Sequence, residues 1–481
     1  YKNTSLTWYA QADYNYRNRY FLQVAASMES SSTFGKKATS LRIGDVAWGF
    51  FPSIQAGWVV TNENWAPKNK NFNYLRLNAG YEVTGNDNIN NKAARTSFEV
   101  LKFLHNNIPA VQLNNIGNEN ITFEKTRRFY TGFESQWLEN RLGLDFTFFF
   151  NHTTNLLTLK DFTTSVAGVK SYWSNEGSLD NKGVEVHING KPIVSRKFTL
   201  ELGASIGHYL NVIKSLPNNT TLALNGQENA AVGYTSSIYG NQNIATLVNH
   251  SAGVFYGYKT AGVFSTDAEA KAAGKDGYLY QVDETGAKSY FKAGDMHFVD
   301  LNGDGIINES DKTIIGDPNP KLYGNFFAHA TWGNLTLSAI FGYSIGNDIY
   351  NYQRSIIEGG NNFYNQSSAM TNRWRVEGQE TNMPRISYGD EMGNSRFSDR
   401  WIEDGSYLKL RSLNINYKIP VNSSWLQGLQ VWAEANNLFT ISKYLGGDPE
   451  MSVSNAVLYQ GIDTGCVSQG RTFTVGVKIN L

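Results

Sequence analysis

Residues 471–481 read RTFTVGVKINL. Phe473, Val475, Val477, Ile479 and Leu481 fall on one face, and Thr472, Thr474, Gly476, Lys478 and Asn480 on the other. Successive side chains of a strand point to opposite faces, so this is a strand between one apolar and one polar environment. The pattern recurs far from the C-terminus. In Leu6–Tyr16, the residues Leu6, Trp8, Ala10, Ala12, Tyr14 and Tyr16 oppose Thr7, Tyr9, Gln11, Asp13 and Asn15. Leu142, Leu144, Phe146, Phe148 and Phe150 share a face, as do Leu335, Leu337, Ala339, Phe341 and Tyr343.

Counting such runs predicts about 13 strands, near 5–16, 20–29, 51–60, 73–82, 127–138, 142–157, 182–190, 197–215, 321–332, 335–351, 406–418, 427–439 and 471–481. Short turns (17–19, 139–141, 191–197, 333–334) alternate with long polar connections (30–50, 83–126, 158–180, 217–320, 353–405, 441–470). Short turns on one rim and long loops on the other mark a transmembrane antiparallel β-barrel, with short periplasmic turns and long extracellular loops. Bacterial single-chain barrels have an even strand count with both ends periplasmic. An odd count therefore predicts that 1–481 is the C-terminal part of a larger barrel. A strand hidden in 241–264 is the alternative. Helix signals are few. Thr266-Asp267-Ala268-Glu269 resembles a capping box and 368–376 could form a turn of helix; both are read as local loop structure.

Composition agrees. The 481 residues carry 42 basic and 42 acidic side chains, so no net charge draws the chain to nucleic acid. Aromatics reach 14%, with 27 Tyr and 27 Phe, and Gly numbers 45. The single cysteine, Cys466, excludes an intrachain disulfide. No apolar run of about 18 residues exists, which excludes a transmembrane helix but not a barrel. Trp8, Tyr16, Trp58, Phe146 and Trp332 fit interface girdles on the lipid side.

Several segments resemble the SusC/RagA family of TonB-dependent outer-membrane transporters of the Bacteroidetes. They include NRYFLQVAASMESSSTFG (18–35), WGFFPSIQAGWVVTNENW (48–65), YLRLNAGYEVTGNDNI (74–89) and NENITFEKTRRFYTGFESQWLENRLGLDFTFF (118–149). LDNKGVEVHING (179–190), GVFYGYKTAGVF (253–264), DMHFVDLNGDGIINESDKTIIGDPNPKLYGNF (295–326), GSYLKLRSLNINYKIP (405–420), NNLFTISKYLGGDPEM (436–451) and GIDTGCVSQGRTFTVGVKINL (461–481) follow in family order. The resemblance implies a roughly 22-stranded barrel, of which this chain holds the last part, with an N-terminal plug and TonB box before it. It implies residence in the bacterial outer membrane, in contact with its lipid. It also implies energy supplied by TonB–ExbB–ExbD through that N-terminal region. A SusD-like surface lipoprotein partner and active uptake of oligosaccharides or oligopeptides complete the expectation. The chain departs from the family pattern at Leu481, where an aromatic is usual, and at Gly470, where proline is common. A structural barrel subunit of an assembly or secretion complex is the alternative function.

One stretch, 300–311 (DLNGDGIINESD), has the spacing of a calcium loop. Calcium takes six to eight oxygens, supplied at alternate positions of a tight loop. Asp300, Asn302 and Asp304 hold positions 1, 3 and 5, and Gly305 the turn. Ile306 offers its carbonyl at 7, Asn308 stands at 9, and Asp311 at 12 replaces the usual Glu. The expectation is a structural Ca²⁺ in the long extracellular loop 217–320; an Asx-turn loop without metal is the other reading.

Nothing points to catalysis. The seven histidines (His105, His152, His187, His208, His250, His297 and His329) are scattered, and no nucleophile elbow, Walker loop or dinucleotide fingerprint occurs. The chain is expected not to be an enzyme. Gln11, Asp13, Asn15, Arg76, Asn78, Glu82, Glu134, Gln136, Glu185, His187, Glu201 and Glu434 have lumen parity. Tyr172, Trp173, Tyr239, Phe363 and Tyr364 are loop aromatics suited to sugar rings or a lid protein. Which of these touch ligand, glycan or peptide, is not decided by the sequence.

Overall fold

A computed structural model describes residues 4–480 apart from 39–40, 45, 68, 90–92, 103–108, 167–168, 217–219, 225–226, 237–242, 276, 423–424 and 455. His105, Tyr239 and Leu481 lie outside the described residues. Two compact units emerge: 1–195 with 199–218, and 196–198 with 219–481.

The first unit is an antiparallel meander of eight strands: β1 (Ser5–Tyr16), β2 (Tyr20–Ser31), β3 (Val46–Val59), β4 (Phe72–Asn86), β5 (Glu124–Trp137), β6 (Leu142–Thr154), β7 (Ser178–Val194) and β8 (Phe198–Ser215). Each pairs with the next in chain order. The second unit repeats this with five: β9 (Leu322–Trp332), β10 (Leu335–Ile345), β11 (Tyr407–Ile419), β12 (Gly428–Ser442) and β13 (Thr472–Asn480). These thirteen are the strands expected from alternation. The turn expected at 191–197 is shorter, because β7 runs to Val194 through a bulge between Gly190 and Ile193.

The tight turns reverse the chain by left-handed residues. Arg17 and Asn18 have φ of 53°, and Leu138, Glu139 and Asn140 lie between 55° and 63°. Gly333, with φ of 56°, makes the two-residue turn between Trp332 and Leu335. Glycine has no Cβ to clash there.

Burial follows an inside-out rule. Trp8 is 66% exposed, Trp332 68% and Val475 75%, all on the apolar face of a wall strand. By contrast, of the twelve largest fully buried side chains, eleven lie in the connections between wall strands; the exception is Lys409 on β11. Apolar side chains facing lipid need no burial, whereas loops in water must bury theirs.

The long connections of the second unit therefore build cores of their own. Tyr258, Phe264, Leu279, Phe291, Met296 and Phe298 form one, together with Ala270 of helix α1 (Asp267–Ala273). Thr266 caps this helix by accepting from the Glu269 N–H at 3.1 Å, while Glu269 accepts from Ser265 N at 2.8 Å. The capping box read as local loop thus starts a real helix. Its apolar residue is buried by tertiary packing, which the sequence pattern did not carry. A single turn of 3₁₀ helix occupies Ser368–Asn372. A second core gathers Ile244, Phe255, Tyr350, Trp401 and Ile462 from three of the long connections, next to helix α2 (Tyr352–Ile357). Residues 241–264, the alternative place for a further wall strand, hold short strands at Ile244–Leu247, Val254–Tyr258 and Thr260–Val263. The first two pair within the loop sheet and the third with Met296–Phe298, so none joins the wall.

Candidate functional site

Directly opposed residues of antiparallel strands point to the same face, so register assigns each wall side chain to a side. Arg76 on β4 opposes Glu134 on β5, Glu134 opposes Asp145 on β6, and Asp145 opposes His187 on β7. A second row runs Glu82, Arg128, Asn151, Asn181 and Asn211, with Arg128 Nη1 3.4 Å from Glu82. In the second unit His329, Ser338, Asn414, Glu434 and Thr474 form a comparable row. His329 Nδ1 lies 2.7 Å from Ser338 Oγ, and Asn414 donates to Glu434 at 3.4 Å. The residues given lumen parity do share the polar face. Sequence reasoning omitted Asp145, Arg128 and Asn151, each flanked by aromatics or polar neighbours that blur its alternation.

The polar face of the first unit holds a cavity of about 490 Å³ bordered by Asp13, Asn15, Gln23, Gln55, Arg76 and Glu134. Arg76 crosses it with its guanidinium 5.3 Å over the Phe21 ring, and its Nε is buried without a hydrogen-bond partner among the described residues. A Cβ at Gly57 would stand 2.9 Å from that Nε, so glycine there makes room for the arginine.

The connections of the second unit border another cavity, open to one side, of about 510 Å³. Tyr258, Tyr350, Tyr352, Phe397 and Trp401 line it with Arg396. Burial pushes the Tyr350 phenol up to about 12 and pulls the Arg400 guanidinium, next to Arg354, down to about 10. The Arg354 and Arg400 guanidinium groups lie 5.6 and 4.3 Å from the centre of the Trp401 ring. Arg354 pairs with Glu358 and Glu403 at 2.9 and 2.7 Å. Phe363 and Tyr364, 88% and 72% exposed, are available to a partner, whereas Trp173 is half-buried.

A connection from the far C-terminal side is pinned to the wall. Lys409 of β11 reaches Glu450 at 2.7 Å, Asp448 at 3.1 Å and Gln469 at 3.3 Å. Arg411 adds a two-pronged contact to Glu450, and the Tyr407 hydroxyl donates to it at 2.5 Å. No signal in the sequence joined these residues.

The acidic loop is tightly wound. Asp300 accepts from Gly303 and Gly305 N–H, both at 2.7 Å, and Asp304 from Ile306 N–H at 2.7 Å. Asn302 accepts from Asp304 N–H at 3.0 Å, and Asn308 from Ser310 N–H at 2.7 Å. Asp311 is fully buried and accepts from Leu301 and Asn308 N–H. Burial raises its pKa, and the charges of Asp300 and Asp304 push it the same way. Among the described residues no group of three or more His, Cys, Asp or Glu side chains stands at metal-holding spacing.

TonB-dependent receptor P3 of Formosa agariphila is 26% identical over 98% of this chain and 45% of its own length. SusC of Bacteroides thetaiotaomicron, also a TonB-dependent receptor, is 25% identical over 99% of this chain and 44% of its own. Along nearly its whole length the chain is thus similar to TonB-dependent receptors of the SusC type. It spans about half the length of the curated relatives it matches. No family model matches it. Among solved structures, that of the RagAB peptide transporter superposes with a TM-score of 0.77 at 21% identity, covering 99% of this chain and 48% of the other. The fold of this chain is therefore a transmembrane β-barrel wall, and its place is the outer membrane. The exposed apolar faces look to lipid, and the polar rows and cavities line the inside and the long-loop end.

Proposed function

We propose that this chain is the wall and extracellular cap of an outer-membrane importer that takes up oligosaccharides or oligopeptides. The observation that carries the reading is the polar face, ordered in continuous rows in each unit, together with long connections of the second unit that fold into cores of their own. A barrel that only scaffolds other proteins has no need of an aromatic and cationic cavity within its own loops. Consistent with uptake, the relatives are named receptors and a transporter. A SusD-like lipoprotein is the expected lid partner, and TonB the energy source through a plug that precedes this chain. β1 and β13 each pair on one side only among the described residues, as expected of a wall completed by further strands. The chain acts by binding and gating, not by catalysis.

Calcium in the 300–311 loop is part of the same proposal. Asp300, Asp304 and Asp311 are close enough for mutual repulsion, and a divalent cation would relieve the raised Asp311. Asn302, Asn308 and the Ile306 carbonyl would supply neutral oxygens. The ion would stiffen the cap. Cells lacking the protein, offered defined oligosaccharides and oligopeptides, test the importer. Loss of uptake of one class supports it; unchanged uptake of every candidate overturns it.

A further inference from the structure

The outward face of the first unit changes character at its long-loop end. On β6 the outward positions run Leu142, Leu144, Phe146, Phe148 and Phe150, and the next is His152. Register sets Phe129 and Lys182 on either side of Phe150, and Arg127 and Asp180 on either side of His152. Lys125, two residues before Arg127, shares this face, and Lys214, in the bulge between Ile213 and Ser215, reaches it through Asp180. Four cations and a histidine thus stand within one or two pleats of the apolar band.

One carboxylate, Asp180, answers them. It lies 2.6 Å from His152 Nδ1 and 3.7 Å from Lys214 Nζ. Arg127 makes one side-chain contact, from Nη1 to Thr154 at 3.5 Å. Among the described residues no Asp or Glu pairs with Lys125, Arg127 or Lys182. Arg127, Lys182 and Lys214 are exposed. The opposite end of this face is different: Tyr16, Tyr20 and Trp58 stack there with ring centroids 6.4 and 6.5 Å apart. An aromatic girdle suits any membrane–water interface. A row of cations without matching carboxylates suits an anionic one.

We propose that Lys125, Arg127, Lys182 and Lys214 bind the phosphate groups of lipid headgroups in the leaflet at the long-loop end. The inference rests on the reading that this sheet faces lipid. The apolar positions below would hold the acyl chains, and Arg127 and the lysines would donate charge-assisted hydrogen bonds to phosphate oxygens. Asp180 orients Lys214 and His152 without neutralising the row.

The test uses the protein as extracted from its membrane in detergent, probed by native mass spectrometry. The probe is lipid A, a phosphorylated acylated disaccharide, against the same lipid after phosphatase treatment. The phosphorylated form should be retained and the dephosphorylated form lost. Arg127→Ala with Lys182→Ala and Lys214→Ala should weaken retention at least about tenfold, given the attraction of each basic residue to an anionic surface. Arg127→Lys with Lys182→Arg should keep it, and unchanged heat-modified gel mobility of both variants shows that the wall still folds. Equal retention of both lipids, or full displacement by inorganic phosphate, overturns the proposal. So does a protein partner captured at this patch in place of lipid and lost in the triple variant. If the protein leaves the membrane without detergent, the barrel reading itself fails, a result distinct from detergent-dependent extraction with no phosphate preference.

Discussion

Lys409 Nζ lies 2.7 Å from Glu450 Oε2, joining a wall strand to the 443–471 connection in a setting where the lysine is 2% exposed. Asp448, 3.1 Å away, makes the lysine the shared counter-ion of two buried carboxylates. Lys409→Met would strand the Asp448 charge, while Glu450 keeps Arg411, and should cost about 3 kcal/mol, the usual loss when one member of a buried pair is removed. The 443–471 segment should gain protease sensitivity while the barrel keeps its detergent-resistant mobility. Unchanged cleavage there would show that the connection is held by other contacts.

Gly294 has φ of 85°, and a Cβ on it would stand 2.4 Å from the Trp374 ring. Gly294→Ala combines left-handed strain with overpacking, and should destabilise the cap by about 2–4 kcal/mol. Tryptophan fluorescence should report a displaced Trp374 and an earlier thermal transition. A wild-type transition would mean that the ring moves aside at no cost.

Asp311 gives a pH signature. An acid whose folded pKa is raised binds more protons folded than unfolded, so its contribution to stability falls as pH rises from about 4 through the raised value. Without calcium, hydrogen-exchange protection of 300–311 should decline over that window. Saturating calcium should abolish the decline, and Asp300→Ala with Asp304→Ala should remove about one bound calcium per chain. Protection that ignores both calcium and pH would leave an Asx-turn loop with no metal.

Arg400 is buried against Trp401, donates to the Glu358 carbonyl at 3.2 Å, and has an Nη1 with no partner among the described residues. No carboxylate is paired with it there. Replacing an uncompensated buried cation by an apolar chain of similar volume is neutral or stabilising by roughly 1–2 kcal/mol. Arg400→Met should leave cap stability level or higher in a denaturant titration. A clear loss would show that stacking on Trp401 outweighs desolvation.

Lys409 and Leu337 show where sequence reading succeeds and where it stops. Leu337 sits in a regular alternation, so its outward face is set by strand geometry. Lys409 precedes a bulge between Leu410 and Ser412 that shifts the register, and its partners are 39 and 41 residues away. Thr266 and Ala270 make the same point: the cap motif is local, but helix α1 persists because Ala270 is buried beside Phe264 and Phe298.

By itself the sequence determined the thirteen wall strands, their inner and outer faces and the alternation of short turns with long connections. Period-two patterning is a local property, and every wall residue faces either lipid or a polar interior. Only the tertiary structure decided that the long connections of the second unit bury Trp401, Phe255 and Phe298 in cores of their own. It alone placed Asp448 and Glu450 on Lys409, and gathered Lys125, Arg127, Lys182 and Lys214 from three strands into one cationic row. Those relationships join residues far apart in the chain, through packing and register that no periodicity encodes.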